Sequence, residues 1–261
     1  MQTPLCADRV SAMGRRILAR GGSSQQAYRL RLAQSQDDIG AAQTLRFIVF
    51  NVEMGEGLED SYLTCRDADR FDAACDHLLV ESGESREIVG TYRLQTGATA
   101  GARHGYYSET EFDFSPFEPM RGEMIELGRA CVHSAHRNLA VLGLLWRGIA
   151  AYARERSCRY LIGCSSLTSQ DPREGAAVYS RLLRRHAAPA NFQTRPQPGY
   201  VCPMDETADQ NVDIPKLLSA YLSIGAKICA PPALDQEFKT IDFLTLLDLE
   251  SLAPSAAKLL A

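Results

Sequence analysis

The sequence predicts an α/β layered fold, in which helices cover a central sheet. Three observations point to it. Two segments early in the chain read as a hairpin, strand and helix patterns then alternate, and 45% of the 261 residues are apolar, enough for one large core.

Residues 1–27 read as a flexible leader ending in the soft run Gly21-Gly22-Ser23-Ser24. Tyr28-Arg29-Leu30-Arg31-Leu32 alternates apolar and charged side chains, the period of a half-buried strand. Asp37 and Asp38 offer caps for a helix over about 38–52, with Ile39, Ala42, Leu45, Ile48 and Val49 on its stripe. After an acidic loop at 54–60, segments 77–80 and 88–94 read as hairpin arms with Gly83 in the turn. The excursion over 96–121 carries Tyr106, Tyr107, Phe112, Phe114 and Phe117, and its length predicts a lid or substrate-channel wall. Residues 123–133 and 159–164 read as central strands. Between them, 139–154 reads as a helix with Leu142, Leu145, Trp146, Ile149 and Ala153 on one stripe. A helix over 174–186, a loop over 189–203, a helix over 214–228 and a strand over 240–249 complete the pattern. One domain is expected over 28–250, followed by a tail at 251–261.

Composition narrows the function. A charged share of 23% and a net charge of −4 exclude a disordered tail protein, a coiled coil and a collagen-like repeat. The balance is not basic, so no nucleic-acid partner is expected. The longest apolar-rich run, 139–153, is broken by Arg147, which excludes a membrane-spanning helix. Arg15, Arg16 and Arg20 are not followed by an apolar signal core, so the expected location is cytoplasmic. The eight cysteines form no CxxC pair and no zinc-finger interval with histidine. Cys131, Cys158 and Cys164 lie in apolar strand-like segments and are expected as buried free thiols.

Three constellations could carry chemistry. The acidic run Asp67-Ala68-Asp69-Arg70-Phe71-Asp72 lacks the Gly and Glu that a calcium loop would place at Asp72 and Leu78. Its carboxylates suit arginines or a cationic amine, or simply a solvated turn. The strand Glu123 to His133 carries Glu126 and Arg129 in an apolar context, where a charge must be paired or catalytic. Three residues apart, they belong on opposite faces unless a bulge at Gly128 turns both to one side and splays the strand. Arg93, within Gly90-Thr91-Tyr92-Arg93-Leu94, needs a carboxylate partner, and Asp67 to Asp72 are the nearest in reach. Either a structural ion-pair network or a functional site fits these charges.

At these points the chain resembles the GNAT-like acyltransferases that N-acylate ornithine in the first step of ornithine lipid synthesis, a group also labelled hemolysin-like. The matching segments are YRLR from Tyr28, RFIVF from Arg46, DAACDHLLV from Asp72, GTYRL from Gly90, ELGRACVH from Glu126, LWRG from Leu145, AYLSIGA from Ala220 and DFL from Asp242. The resemblance implies a GNAT-like acyltransferase fold, a mixed twisted sheet with splayed central strands and helices on both faces. It implies transfer of a long-chain fatty acyl group, with or without a 3-hydroxyl, from acyl carrier protein to the α-amine of ornithine, giving lyso-ornithine lipid. Acyl carrier protein is then donor and partner, no cofactor or metal is expected, and the lipid product would bring the protein to the inner membrane peripherally. More distantly the chain is similar to acyl-homoserine-lactone synthases. Arg46, Phe50, Asp67, Asp69, Asp72, Arg93, Glu126 and Arg129 match their pattern, while their N-terminal Trp has no counterpart. These likenesses imply substrate-binding roles for Arg46, Asp67, Asp69, Asp72, Arg93 and Arg129.

The coenzyme A loop of ordinary GNAT enzymes, Q/R-x-x-G-x-G/A, would fall at Arg137 to Leu142, where larger residues replace both glycines. Glycines let backbone amides close around a pyrophosphate. Their absence favours a carrier-protein arm with its single phosphate, held by Arg137, Asn138 and the following helix start. In direct attack of an amine on a thioester, Glu126 is the expected base and His77 the alternative. Phe47, Phe50, Phe112, Phe114 and Trp146 are expected along the acyl channel. Arg181, Arg184 and Arg185 offer a basic dock for an acidic carrier protein. Acylation of another amine, a coenzyme A-dependent acetyltransferase and a non-catalytic acyl-binding fold are the competing readings.

Overall fold

The computed structural model describes residues 28–83, 85–204 and 212–252. The expected leader at 1–27 and nearly all of the expected tail, 253–261, lie outside them. Strand β1 (Tyr28–Leu32) opens the chain and helix α1 (Gln36–Phe47) follows. Ser35 caps α1 by accepting from the Asp38 amide. Asp38, expected as a cap, instead pairs with Arg31 at 2.6 Å. Beyond Phe47 the coil widens into a π-helical stretch (Ile48–Met54) that ends at Gly55 in the left-handed region. Such widened turns often mark functional sites.

After a short helix α2 (Ser61–Thr64) come β2 (Asp76–Ser82), β3 (Glu87–Thr96), the short α3 (Gly97–Ala102) and β4 (Met124–Val132). Helix α4 (Leu139–Glu155), β5 (Tyr160–Leu167), α5 (Pro172–His186), α6 (Lys216–Ile224), β6 (Lys227–Ile228), β7 (Ala233–Asp235) and β8 (Thr240–Asp248) complete the order. The expected helix over 214–228 is corrected here. Gly225 in the left-handed conformation stops α6, and Lys227 and Ile228 join the sheet against β8. Strand β7 carried too short a pattern to be read.

The sheet has eight strands in the order β1-β2-β3-β4-β5-β8-β6, with β7 also on β8. Among the described strands only β4 and β5 run parallel. Helix α4 packs Val141, Leu145, Trp146 and Ile149 with Leu78, Val80, Tyr92 and Leu94. Burying each such side chain contributes about 1.5–3 kcal/mol. Arg93, between Tyr92 and Leu94, faces the other way, towards α1. Most aromatic side chains of the excursion over 96–121, expected as a lid or channel wall, face inward. Tyr106, Phe112, Phe114 and Phe117 close a core of their own with Met124, Ile162 and Leu244.

Two irregularities open the middle of the sheet. The β4–β5 ladder ends at Glu126 opposite Ile162. On the other side, Thr91 faces Cys131 but Arg93 faces Gly128, so β4 carries an extra residue. The bulge falls one position later than expected: Arg129, not Gly128, takes the left-handed conformation, with φ 49°. At the fork, a Cβ on Gly163 would lie 2.2 Å from the Leu127 carbonyl oxygen. Gly163→Ala is therefore expected to cost about 1–3 kcal/mol or more through overpacking. In a domain of this size that lowers the melting temperature by about 2–4 °C per kcal/mol. A thermal unfolding curve matching the parent would show that the fork tolerates a methyl.

Candidate active site

The fork opens onto a cavity of about 720 Å³. Its wall is mostly apolar, with Phe50 after α1, Leu145, Trp146 and Ile149 on α4, and Leu218 and Ile224 on α6. Leu139 and Met54 also line it while 85% and 42% exposed, so its rim is apolar too. Of the aromatic side chains expected along a channel, Phe50 and Trp146 are on this wall, and so is Tyr107 from the excursion. Phe47 packs edge-on against Tyr62, and Phe112 and Phe114 belong to the separate aromatic core, because their elements turn away from the fork.

Glu126 is the last residue of β4 paired to β5 and reaches the cavity although buried. Its Oε2 accepts from the Tyr107 amide at 2.8 Å, and its Oε1 accepts from the Ser108 amide at 2.7 Å and the Ser108 hydroxyl at 2.6 Å. Burial raises its pKa above the usual carboxylate range, although the Ser108 and Tyr107 donors oppose the rise. The result is a fixed carboxylate with raised basicity in an apolar wall. The sequence marks Tyr107 only as part of an aromatic lid or channel wall and Ser108 not at all, because their hold on Glu126 depends on the excursion folding back beneath β4.

The arginines and the acidic run converge. Arg46 on α1, wholly buried, gives Nε to Asp67 Oδ2 at 2.7 Å and Nη1 and Nη2 to Asp72 at 2.9 and 2.8 Å. Arg93 Nη1 lies 2.6 Å from both Asp69 oxygens and 3.0 Å from Asp72 Oδ1. Arg129 reaches Asp69 at 3.2 Å and Asp67 at 3.3 Å. Three cations thus meet three anions, with the Tyr107 ring 4.8 Å from Arg129 and 5.7 Å from Arg93. The bulge achieves what ideal alternation would not, since Glu126 and Arg129 both reach Tyr107. The Asp72 carboxyl is held far below its usual range by the Arg46 and Arg93 guanidiniums, which outweigh its burial. Engaged in this way, the triplet has no place for calcium.

His77 sits on β2 with Nε2 3.0 Å from the Asp72 carbonyl oxygen, and burial lowers its pKa. It is not among the residues lining the cavity, so its contact is with the acidic turn. Arg137 lines the cavity but is half exposed, pairing with Glu53 at 2.5 Å and donating to the Val132 carbonyl. Asn138 caps α4, its Oδ1 accepting from the Ala140 and Val141 amides, which takes two of the amides expected to hold a phosphate. Arg181, Arg184 and Arg185 are exposed on α5, where Arg181 donates to the Val212 carbonyl. Cys131, Cys158 and Cys164 are free, and burial pushes each thiol pKa up, as small hydrophobes rather than nucleophiles.

A second acidic group was missed. Glu111, Asp235 and Asp242 hold carboxylate oxygens within 4.8 Å of one another, the one such cluster able to hold a cation among the described residues. The signal that singled out Glu126, a carboxylate inside an apolar strand, was also present at Asp242.

Comparisons with known proteins agree with this architecture. Residues 45–147 match the acetyltransferase (GNAT) domain family. The chain is 36% identical over 252 residues to the L-ornithine N(alpha)-acyltransferase of Brucella abortus, covering 91% of this chain and 88% of that protein. It is 33% identical to the enzyme of the same name from Agrobacterium fabrum, covering 85% and 81%. Among solved structures, FeeM, an N-acyl amino acid synthase from uncultured soil microbes, superposes with a TM-score of 0.52 at 14% identity. That match covers 88% of this chain and 94% of FeeM, and shows a shared fold.

Proposed function

Because the chain belongs to the L-ornithine N(alpha)-acyltransferase family, we propose that it moves a 3-hydroxy long-chain fatty acyl group from acyl carrier protein to the α-amine of ornithine. The product would be lyso-ornithine lipid. The observation that carries this reading is Glu126, a carboxylate fixed at the mouth of a strand fork and opening onto an apolar cavity of about 720 Å³.

In the proposed reaction Glu126 takes a proton from the α-ammonium, and the freed amine attacks the thioester carbonyl. The C–N bond forms, the C–S bond breaks, and the phosphopantetheine thiol leaves with a proton. Backbone amides of β4 beyond Glu126, which have no ladder partner on the β5 side, are placed to stabilise the oxyanion. Holding amine and thioester in line at the fork supplies the remaining advantage. We assign the proton to Glu126 rather than His77, whose ring points to the Asp72 turn.

Arg46, Arg93 and Arg129 with Asp67, Asp69 and Asp72 serve chiefly to position the bulge, because they satisfy one another. Arg93 and Arg129 both line the cavity, and Arg129, whose ion pairs are the longer at 3.2 and 3.3 Å, is the guanidinium we assign to the amino acid's carboxylate. Phe50 and Trp146 flank the acyl chain. Arg137 stands at the donor's entrance. The exposed α5 arginines Arg181, Arg184 and Arg185 would dock the acidic carrier protein.

The test is to incubate the purified chain with 3-hydroxy long-chain acyl carrier protein and ornithine, and to weigh the product. Lyso-ornithine lipid with release of the carrier thiol is expected, and acyl-coenzyme A should serve poorly. Absence of that product, or equal use of the coenzyme A donor, would count against acceptor or donor respectively.

A further inference from the structure

At the Asp242 side of the cavity lies a group of carboxylates that no cation matches. Glu111, Asp235 and Asp242 are 0%, 4% and 3% exposed, with oxygens within 4.8 Å of one another. Of these, Asp242 lines the cavity together with Glu56, while Glu111 and Asp235 stand against Asp242 without lining it themselves. Arg129, whose field reaches Glu111 and Asp242, is already paired with Asp67 and Asp69. No ion pair reaches any of the four carboxylates among the described residues.

Neutral donors cover only part of the cluster. Tyr107 Oη donates to Asp235 Oδ2 at 3.1 Å, and the Glu237 and Phe238 amides donate to its Oδ1 at 2.9 Å. Thr240 donates to Asp242 Oδ2 at 3.0 Å. Cys164 Sγ lies 3.5 Å from Glu111 Oε2, while Glu111 Oε1, fully buried, has no hydrogen-bond partner. Burial and the neighbouring carboxylates push Glu111 well above the usual range, and burial leads in raising Asp242 to about 6 and Glu56 to about 7. Buried anions in this state call for a proton or a cation.

The spacing suits an ammonium. Three N–H donors at tetrahedral angles and about 2.8 Å place their acceptors about 4.6 Å apart. The corner is also tied to the reacting end. Tyr107 gives its amide to Glu126 and its hydroxyl to Asp235. Cys164 lies between Glu111 and Ser108, the residue that holds Glu126. Five bonds of about 1.5 Å separate the two amines of ornithine, a span of about 6 Å when extended.

We infer that Glu111, Asp235 and Asp242 bind the δ-ammonium of ornithine while its α-amine meets Glu126, so that this corner selects diamino acids over isosteres lacking the second amine. The inference rests on the acceptor proposed above. It is tested by measuring kcat/KM for ornithine and for norvaline, the same carbon chain without the δ-amine, with long-chain acyl carrier protein as donor. The parent should prefer ornithine by about 100-fold or more, since a site built around a polar group rejects the analogue that leaves it unmatched. In Asp242→Asn and in Glu111→Gln that ratio should fall by at least about tenfold, the loss of one charged hydrogen bond.

If Asp242→Asn does not fold, as judged by its melting curve, Glu111→Gln decides. If neither folds, the parent's thermal protection decides: it should be larger with ornithine than with norvaline at equal concentration, and equal protection overturns the inference. An unchanged ratio in folded variants overturns it too. So does activity that chelator abolishes and magnesium or calcium restores, for the corner would then hold metal. A parent that acylates neither compound sinks the acceptor assignment along with this inference, whereas ornithine turnover with an unchanged ratio sinks the inference alone.

Discussion

Replacing Glu126 by Gln is expected to lower kcat by about 10²–10⁴-fold, the usual contribution of a positioned general base. The donor's KM should move little, because in the proposed reaction the carboxylate meets the amine while the acyl chain would lie along α4 and α6. An effect on kcat without a matching one on KM marks an interaction used only in the transition state. The substitution also carries a structural cost. Glu126 accepts three hydrogen bonds, and a Gln side chain would turn its amide group towards one of those donors. Leaving that donor unsatisfied costs about 1–3 kcal/mol, which a melting curve reads separately from turnover. The pH profile distinguishes the two effects. A base works deprotonated, and burial raises the Glu126 pKa, so parent activity should climb with pH through a point above the ordinary carboxylate range. That limb should vanish in Glu126→Gln. Comparable turnover, or a surviving limb, would refute the assignment.

Arg46→Met is expected to be the most damaging change to stability. Arg46 has no exposure, and its guanidinium binds both Asp67 and Asp72. Removing one partner of a buried ionic cluster strands the others, at about 3–5 kcal/mol. At about 2–4 °C per kcal/mol the melting temperature should fall by about 6–20 °C. Acid gives a second readout. Asp69 and Asp72 have folded pKa values below those of the unfolded chain. Their contribution is therefore fully present above the unfolded carboxylate pKa of about 4 and is lost as pH falls below it. In Arg46→Met, Asp72 loses its leading partner, so denaturant midpoints should depend less on pH between 7 and 3. A variant that melts within 2 °C of the parent, with the parent's acid sensitivity, would show that the six groups do not act as a unit.

The regular elements were legible because their periods are local. Alternation placed β1 at its observed limits, and the apolar stripe of α4 fixed the face that meets Tyr92 and Leu94. The charged residues of β4 and β3 were found for a related reason, since ions in apolar strands need partners within reach. Misreadings came where neighbours distant in sequence decide the outcome. The 214–228 segment is apolar at most positions, and the left-handed stop at Gly225 with pairing to β8 separates helix from strand. The aromatic residues of the excursion looked like a channel wall, yet Phe112 and Phe114 turn inward against Ile162 and Leu244 because β5 and β8 offer an apolar face there.

The sequence by itself determined the layered fold, the family, and the identity of Glu126, the arginines and the acidic triplet, since each rests on residue type and short spacing. Tertiary structure decided how those groups are used. The bulge at Arg129 turns two residues three apart to the same side. Tyr107 and Ser108 return from a remote excursion to fix the carboxylate. Glu111, Asp235 and Asp242, far apart along the chain, become one anionic corner only when β7 and β8 close beneath the cavity. Burial and proximity set the charge state of such groups, and both are properties of the packed chain, not of its local order.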